Sequence, residues 1–128
     1  MRRRLAAVGL RITTGVYWAL MLVATHLPPR DVPKTHVSDK VEHFVGYGLL
    51  TMLLAACLWR SKLRPGSYLL ILIAIVWCYG AADELTQPIF DRTGDVKDWL
   101  ADASAAAIVA ALATAVRVRR MVGCARPR

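Results

Sequence analysis

An uninterrupted apolar run, Leu69-Leu70-Ile71-Leu72-Ile73-Ala74-Ile75-Val76, lies near the middle of the chain. A surface helix of a soluble protein carries a polar stripe along one side, and this run has no residue for such a stripe. The run belongs to residues 65–82, which contain no charged side chain. This segment approaches the roughly 20 residues that a helix needs to cross a hydrocarbon core of about 30 Å. The run therefore favours a membrane-spanning helix over a helix of a soluble four-helix bundle.

Three more segments have the same character, residues 12–29, 44–59 and 99–116, and Asp102 is the only acidic or basic residue in them apart from His26. A backbone in lipid must satisfy its own hydrogen bonds, so each segment is expected to be a helix. With flanking residues, we predict helices at about 8–28, 40–60, 66–85 and 98–117. Because 128 residues is the size of one domain, the predicted fold is a single all-α domain over residues 1–128, an integral membrane four-helix bundle.

The composition excludes several classes of protein. Hydrophobic residues make up 56% of the chain and the mean hydropathy is +0.41, which is more apolar than disordered chains or ordinary soluble enzymes. The formal net charge is +8, and such a basic excess indicates nucleic acid or an anionic membrane as partner. The apolar segments favour membrane lipids, and we do not expect nucleic-acid binding.

The basic residues also predict the orientation. Eleven lysines and arginines lie in the two terminal tails and in the loop between the second and third helices, whereas five lie in the other two loops. Since basic residues stay on the cytoplasmic side, both termini are expected in the cytoplasm and the loops at 28–40 and 85–97 outside. A cleaved signal peptide is the alternative for the first segment, but no A-x-A-like cleavage site follows it.

All nine acidic residues lie in or beside the predicted outward loops, where three polar groups stand at helix ends. The first group is at the start of the second helix and contains Lys40. In it Asp39, His43 and Tyr47 are spaced four apart and share one helix face. Two structural alternatives remain open: Asp39 and Glu42 also fit a capping box, and His43 also fits an interhelical hydrogen bond.

The second group is at the end of the third helix. Glu84 and Gln87 are three apart and can face the same way. Asp83 and Glu84 are adjacent acids at a helix C-terminus, where the macrodipole disfavours negative charge. We therefore expect a cationic partner for them, either Arg92 or Lys40.

The third group leads into the fourth helix, where Asp95, Asp98 and Asp102 are spaced i, i+3, i+7. Capping of the helix explains the first two, and Trp99 fits the aromatic belt at a membrane interface. Asp102 lies about one turn inside the apolar segment, so it is expected to face the bundle interior with a partner. Alanines along this helix permit close approach, so we predict that it packs centrally and brings the three groups together.

These groups resemble the signature of the VanZ-like family of small bacterial integral membrane proteins. The matching residues are Asp39-Lys40-x-x-His43-Phe44-x-x-Tyr47-Gly48, Asp83-Glu84-x-x-Gln87 and Arg92-x-Gly94-Asp95-x-x-Asp98-Trp99-x-Ala101-Asp102. One departure is visible, since the family usually has glycines where this chain has Ser104, Ala105 and Ala106. The resemblance implies a four-helix protein of the bacterial inner membrane. The founding member is linked to teicoplanin resistance, which is a phenotype and not a reaction.

Three functions are compatible with the outward groups. The first is an enzyme acting on a lipid-linked or other cell-envelope substrate, because clustered carboxylates and a histidine suit proton transfer. In this hypothesis His43 is the general base, oriented by Asp39 or Glu84, and Asp98 is a further catalytic candidate. Lys40 and Arg92 bind a phosphate or carboxylate. The other candidate substrate-binding residues are Tyr47, Gln87, Asp95, Trp99 and Asp102.

A variant of the enzyme hypothesis uses a divalent cation held by Asp95, Asp98 and Glu84 as oxygen ligands, although no spacing is diagnostic of a metal. The second function is a non-catalytic assembly or binding protein, whose ion pairs hold the helices together. The third is a small transporter, since intramembrane acids can serve as proton relays. The crowding of the acids at one interface disfavours transport.

Overall fold

The computed structural model describes residues 1–28, 30 and 37–125, with side chains described up to residue 123. Four long helices make up the fold: α1 (Arg2–His26), α2 (Asp39–Leu58), α3 (Pro65–Thr86) and α4 (Val96–Ala125). A short 3-10 helix, Gln87–Phe90, continues α3. All four long helices are long and apolar enough to cross a membrane, so the prediction of an all-α protein with four such helices is confirmed. Most of the predicted outward loop at 28–40 lies outside the described residues.

The helices extend beyond the apolar segments that predicted them. α1 begins at Arg2 and not near residue 8, and α4 continues to Ala125 and not to 117. Basic residues therefore occupy the first turns of α1 and the last turns of α4. Arginine is a good helix former, so these basic ends continue the helices.

The start of α2 differs from the capping box that the sequence suggested. Ser38 is the N-cap and makes no side-chain capping bond, and Asp39 is the first helical residue. Asp39 and Glu42 both lie in the first turn, where the helix dipole favours negative charge. Both acids therefore suit the helix start, although the N-cap is Ser38 and not Asp39.

α4 packs centrally against α2 and α3, as predicted. Its face toward them consists of small side chains, and Ala105, Ala106 and Ala110 are fully buried. α3 comes close to α4 at Gly80, where an added Cβ would lie 3.2 Å from Asp102 Oδ2. Small residues at these crossings let the backbones approach. This packing brings the ends of α2, α3 and α4 side by side.

α1 lies at the periphery, mainly against α2. The Tyr17 hydroxyl donates to the carbonyl of Gly46 at 2.9 Å, and Thr14 Oγ1 lies 3.2 Å from Cys57 Sγ. Large apolar side chains of α1 such as Ile12 and Leu20 are about three-fifths exposed. Surface of this kind is unusual on a soluble monomer and suits a helix that faces lipid.

At the end of the bundle that holds the α2–α3 loop, Arg117 is buried although it belongs to the basic tail. Its guanidinium donates to the carbonyls of Leu58, Trp59 and Leu63 at 3.0–3.2 Å, and also to that of Ser61. The last carbonyls of a helix have no partner within the helix, and Arg117 supplies one. From the sequence, this arginine is expected only to be one of the basic residues that predict the orientation in the membrane.

Candidate functional site

The three polar groups meet at one end of the bundle, as the sequence predicted. The N-terminal turns of α2 and α4 and the C-terminal turn of α3 carry them. Asp102 is fully buried and faces the interior, which confirms the expectation for an acid inside an apolar segment. We refer to this end, which holds His43, Glu84 and Asp102, as the acidic end.

His43 contacts Asp102 across the interface of α2 and α4. Its Nδ1 lies 3.1 Å from Asp102 Oδ1, and both side chains are at least nine-tenths buried. An ionised carboxylate only accepts hydrogen bonds, so Nδ1 is the donor in this contact. The His43 ring also stacks on Tyr47, with centroids 5.9 Å apart. Asp102 and Tyr47 thus fix the position of the imidazole.

The prediction that Asp39 or Glu84 orients His43 is corrected by this contact. Asp39 is exposed at the first position of α2, whereas His43 lies one turn deeper and faces the bundle. Glu84 Oε1 lies 3.9 Å from His43 Nδ1, which is beyond hydrogen-bond distance. Asp102 holds the closer position because close packing of α3 and α4 at Gly80 carries its carboxylate into the interior.

Glu84 connects the end of α3 to the start of α4. Its Oε2 accepts the backbone N–H of Asp95 at 2.7 Å, and its side chain is nine-tenths buried. Within the described chain, its Oε1 accepts no hydrogen bond. The expected cationic partners, Lys40 and Arg92, have other neighbours. The Arg92 guanidinium donates to the Leu27 carbonyl at 3.2 Å.

Asp95 and Asp98 start α4 and bind Lys40. Asp95 Oδ1 accepts the backbone N–H of Lys97 at 2.9 Å, which confirms capping of this helix. Lys40 Nζ lies 3.1 Å from Asp98 and 3.6 Å from Asp95, and so joins α2 to α4. The capping bond, together with Lys40, lowers the pKa of the Asp95 carboxyl below its ordinary value. These three predicted site residues therefore pair with one another.

Asp83 is a site residue that the sequence reasoning did not select, although it lies within the second motif. It is almost fully buried, and its Oδ2 accepts the Tyr47 hydroxyl at 2.9 Å. Its Oδ1 accepts the Thr25 hydroxyl at 2.8 Å and lies 3.4 Å from His26 Nδ1. Gln87 Nε2 approaches Oδ2 at 3.5 Å. The polar residues at the end of α1, Thr25 and His26, were the signal that could have indicated this contact.

Trp99 binds α3. Its indole N–H donates to the Trp77 carbonyl at 3.1 Å, and the Trp77 indole donates to the Ala103 carbonyl at 3.1 Å. The two rings meet edge to face, 6.1 Å apart. This reciprocal pair fixes the rotation of α4 against α3, and thereby the direction of the Asp102 side chain.

A cavity of about 260 Å³ opens beside this cluster, between α1 and α2. Four predicted site residues line it: Asp39, His43, Tyr47 and Arg92. The other seven are not among its lining residues: Lys40, Glu84, Gln87, Asp95, Asp98, Trp99 and Asp102. His43 therefore separates the cavity from the buried carboxylate of Asp102.

Two groups of side chains at the acidic end have ligand atoms close enough to hold a metal ion. One is His43, Glu84 and Asp102, and the other is Asp39, His43 and Asp98. A histidine with carboxylates suits a transition metal better than magnesium. The predicted ligand set Asp95, Asp98 and Glu84 is not among these groups. Asp95 and Asp98 both pair with Lys40 instead.

A family model described as VanZ/LLP1 matches residues 10–117, which is most of the chain and includes every residue of the acidic end named above. The match includes most of α1, from residue 10, as well as the three motif-bearing helices up to residue 117. No curated protein and no solved structure is similar enough to the chain to count as a match.

Proposed function

Because the chain belongs to the VanZ/LLP1 family and has four helices able to cross a membrane, we propose that it binds and chemically alters a lipid-linked cell-envelope substrate. The observation that carries the proposal is the position of His43, which lines the cavity while its Nδ1 is bonded to buried Asp102. We place the site on the outer face of the bacterial inner membrane, with both termini in the cytoplasm. The distribution of basic residues supports that orientation.

The proposed chemistry is proton transfer by His43. A buried carboxylate that holds one ring nitrogen of a histidine leaves the other as a base and stabilises the charged ring once it takes the proton. Asp102 supplies this carboxylate, and the stacked Tyr47 ring limits rotation of the imidazole. Asp102 is thus a positioning residue in the proposal, and His43 is the group that meets the substrate.

Arg92 is the proposed binding residue for an anionic substrate group. It lines the cavity, and its guanidinium has five N–H donors, of which one binds the Leu27 carbonyl. A guanidinium suits a phosphate or carboxylate because its donors form a planar fork. The cavity is smaller than the roughly 300–1,000 Å³ of most small-molecule sites. We therefore propose that it takes a head group, while the lipid chain stays in the membrane beside α1.

A purely structural role is the second candidate, and the Lys40 contacts favour it. Lys40 joins α2 to α4 through Asp98 and Asp95, and Asp83 joins α3 to α1 through Thr25. In this alternative the acidic end holds the bundle together and presents a docking surface. It assigns no role to the cavity or to the contact between His43 and Asp102.

The proposal is tested by the envelope lipids of cells that lack their own copy of the chain and carry a variant. His43→Gln removes the base, so we expect the lipid change produced by the wild type to fall by about 10²–10⁴-fold in rate. Asp91→Asn is the matched control. It removes an acid at the same end, outside the cavity, and asparagine tolerates the positive φ of Asp91.

The two candidates give different results in this experiment. If His43→Gln is present at the wild-type level in the membrane but leaves the lipids as in cells without the protein, proton transfer is supported. If the folded His43→Gln protein produces the same lipids as the wild type, the enzymatic proposal fails. Glycopeptide resistance is one phenotype in which a lipid change can be read out, and sensitivity to teicoplanin can be scored in the same strains.

A further inference from the structure

A groove of about 610 Å³ lies at the end of the bundle opposite His43, between the first turns of α1 and the last turns of α2. Its wall on α1 runs from Arg3 to Arg11, and its opposite wall runs from Met52 on α2 to Arg60, two residues beyond the end of that helix. On each helix the lining residues recur three and four apart, so one face of each helix is involved. The groove therefore lies between one face of α1 and one face of α2.

The groove is open because its walls are made of small side chains. Ala6 and Ala7 line it from α1, and Ala55 and Ala56 line it from α2. Further along, the two helices touch where Thr14 Oγ1 lies 3.2 Å from Cys57 Sγ. Atoms lining an unfilled apolar space lose their dispersion contacts on that side. In a membrane, an acyl chain is the available group of suitable shape and chemistry.

Three arginines lie on the rim of the groove: Arg3, Arg11 and Arg60. All three are exposed, and no residue lining the groove is acidic. Arg11 stands nine residues beyond Arg2, about 13 Å along the axis of α1 at 1.5 Å per residue. A charge at such a distance inside an apolar helix requires a partner or a path to water. The arginines therefore complement an anionic group at the mouth of an apolar groove.

We propose that this groove binds one anionic glycerophospholipid. Its phosphate lies between Arg11 and Arg60, and an acyl chain lies against the alanine walls. Basic pockets between membrane helices bind anionic head groups by charge, at about 1 kcal/mol for each lysine or arginine near the surface. The inference is independent of the proposed function, since the groove and the cavity beside His43 share no lining residue.

The test uses purified full-length protein in detergent, titrated with phosphatidylglycerol or with phosphatidylcholine of the same acyl chains. Native mass spectrometry counts the lipids that each protein molecule retains. We expect one retained phosphatidylglycerol and at least about tenfold weaker retention of phosphatidylcholine. Arg11→Gln should weaken phosphatidylglycerol retention about fivefold, the equivalent of one arginine contact.

Two variants separate the groove from general surface charge. Arg119→Gln removes the same charge from the same end of the protein but does not line the groove, so retention should match the wild type. Ala56→Leu keeps every arginine and fills part of the groove from an exposed position, so it should also weaken retention. Helical content measured by circular dichroism checks that each variant is folded.

Equal retention of the two lipids would overturn the proposal. Equal weakening by Arg11→Gln and Arg119→Gln would also overturn it, because the arginines at this end of the bundle would then attract lipid without a site. If Arg11→Gln does not fold, the comparison of phosphatidylglycerol retention between Ala56→Leu and the wild type tests the proposal. Unchanged retention of phosphatidylglycerol in folded Ala56→Leu contradicts the groove as the site.

Discussion

His43 Nδ1 and Asp102 Oδ1 lie 3.1 Å apart, and they join α2 to α4 across 59 positions of sequence. Glu84 Oε1 is the next carboxylate oxygen, 3.9 Å from the same nitrogen. The histidine also lines the cavity, whereas the two carboxylates are not among its lining residues. His43 therefore lies between the cavity and the buried carboxylates of Asp102 and Glu84, and the proposed chemistry depends on this position.

The hydrogen bond between these two residues is expected to contribute to stability. Asp102→Ala leaves the Nδ1–H of His43 without its acceptor, so we expect a loss of about 0.6–1.7 kcal/mol in the free energy of unfolding. Asp102→Asn keeps an oxygen acceptor and should lose less. Unfolding in mixed detergent and SDS micelles measures both values. An equal loss in the two variants would contradict a hydrogen bond through this oxygen.

Gly80 and Gly48 form a matched pair for testing the close packing of α4. An added Cβ at Gly80 would lie 3.2 Å from Asp102 Oδ2 and 3.3 Å from Trp99 Cδ1, whereas at Gly48 its nearest neighbour would be the Cβ of Ala105, at 3.6 Å. Gly80→Ala should therefore destabilise the protein by about 1–3 kcal/mol. Gly48→Ala should be neutral or stabilising by up to about 1 kcal/mol, because alanine favours a helix over glycine.

The same unfolding measurement compares the two glycine variants. Equal stability of Gly80→Ala and Gly48→Ala would show that α3 and α4 are not in contact at this position. Loss of the lipid change in Gly80→Ala, with Gly48→Ala active, would connect the helix packing to the orientation of His43.

Among the arginines at the end of the bundle that holds the α2–α3 loop, Arg117 is expected to contribute most to stability. It is buried and donates to several carbonyls between Leu58 and Leu63, and its guanidinium lies 4.6 Å from the centre of the Tyr68 ring. Arg117→Gln should lower the free energy of unfolding by about 3 kcal/mol, because several buried carbonyls lose a charged donor. Exposed Arg119→Gln should change it by less than about 0.5 kcal/mol. Similar values for the two would contradict the capping role.

Asp95 supports a prediction about pH. Its pKa is lowered from the ordinary value of 3.8 by the Lys97 N–H and by Lys40. A lowered pKa in the folded protein means that the ionised carboxylate stabilises the fold above pH 3.8, and that this contribution disappears as the pH falls through the lowered pKa. Asp95→Asn can still cap α4 but has no charge.

Comparison of the wild type, Asp95→Asn and Asp95→Ala separates the contribution of the helix cap from that of the negative charge. Asp95→Ala should be less stable than Asp95→Asn at neutral pH, because alanine removes the cap. The stability difference between the wild type and Asp95→Asn should shrink as the pH falls below 4, measured by thermal unfolding in detergent. A difference that is constant with pH would contradict the lowered pKa.

The sequence predicted the number of helices and the meeting of the polar groups at one end, because apolar length and small-residue packing fix these features. It could not predict which carboxylate orients His43. That choice depends on the rotation of α4, which Gly80 and the Trp77–Trp99 pair set through contacts between helices. It also missed Asp83, because the partners Thr25 and His26 lie on α1, where no motif drew attention to them.

The most direct test of the central claim is the envelope-lipid change produced by Asp102→Asn and by Asp91→Asn in cells without their own copy of the chain. Both substitutions replace an acid by its amide, but only at Asp102 does this remove the negative charge beside His43 that would stabilise the ring once it takes a proton. With both proteins folded and present at the wild-type level, we predict that Asp102→Asn loses the lipid change and that Asp91→Asn keeps it. A wild-type lipid change in Asp102→Asn would contradict the account.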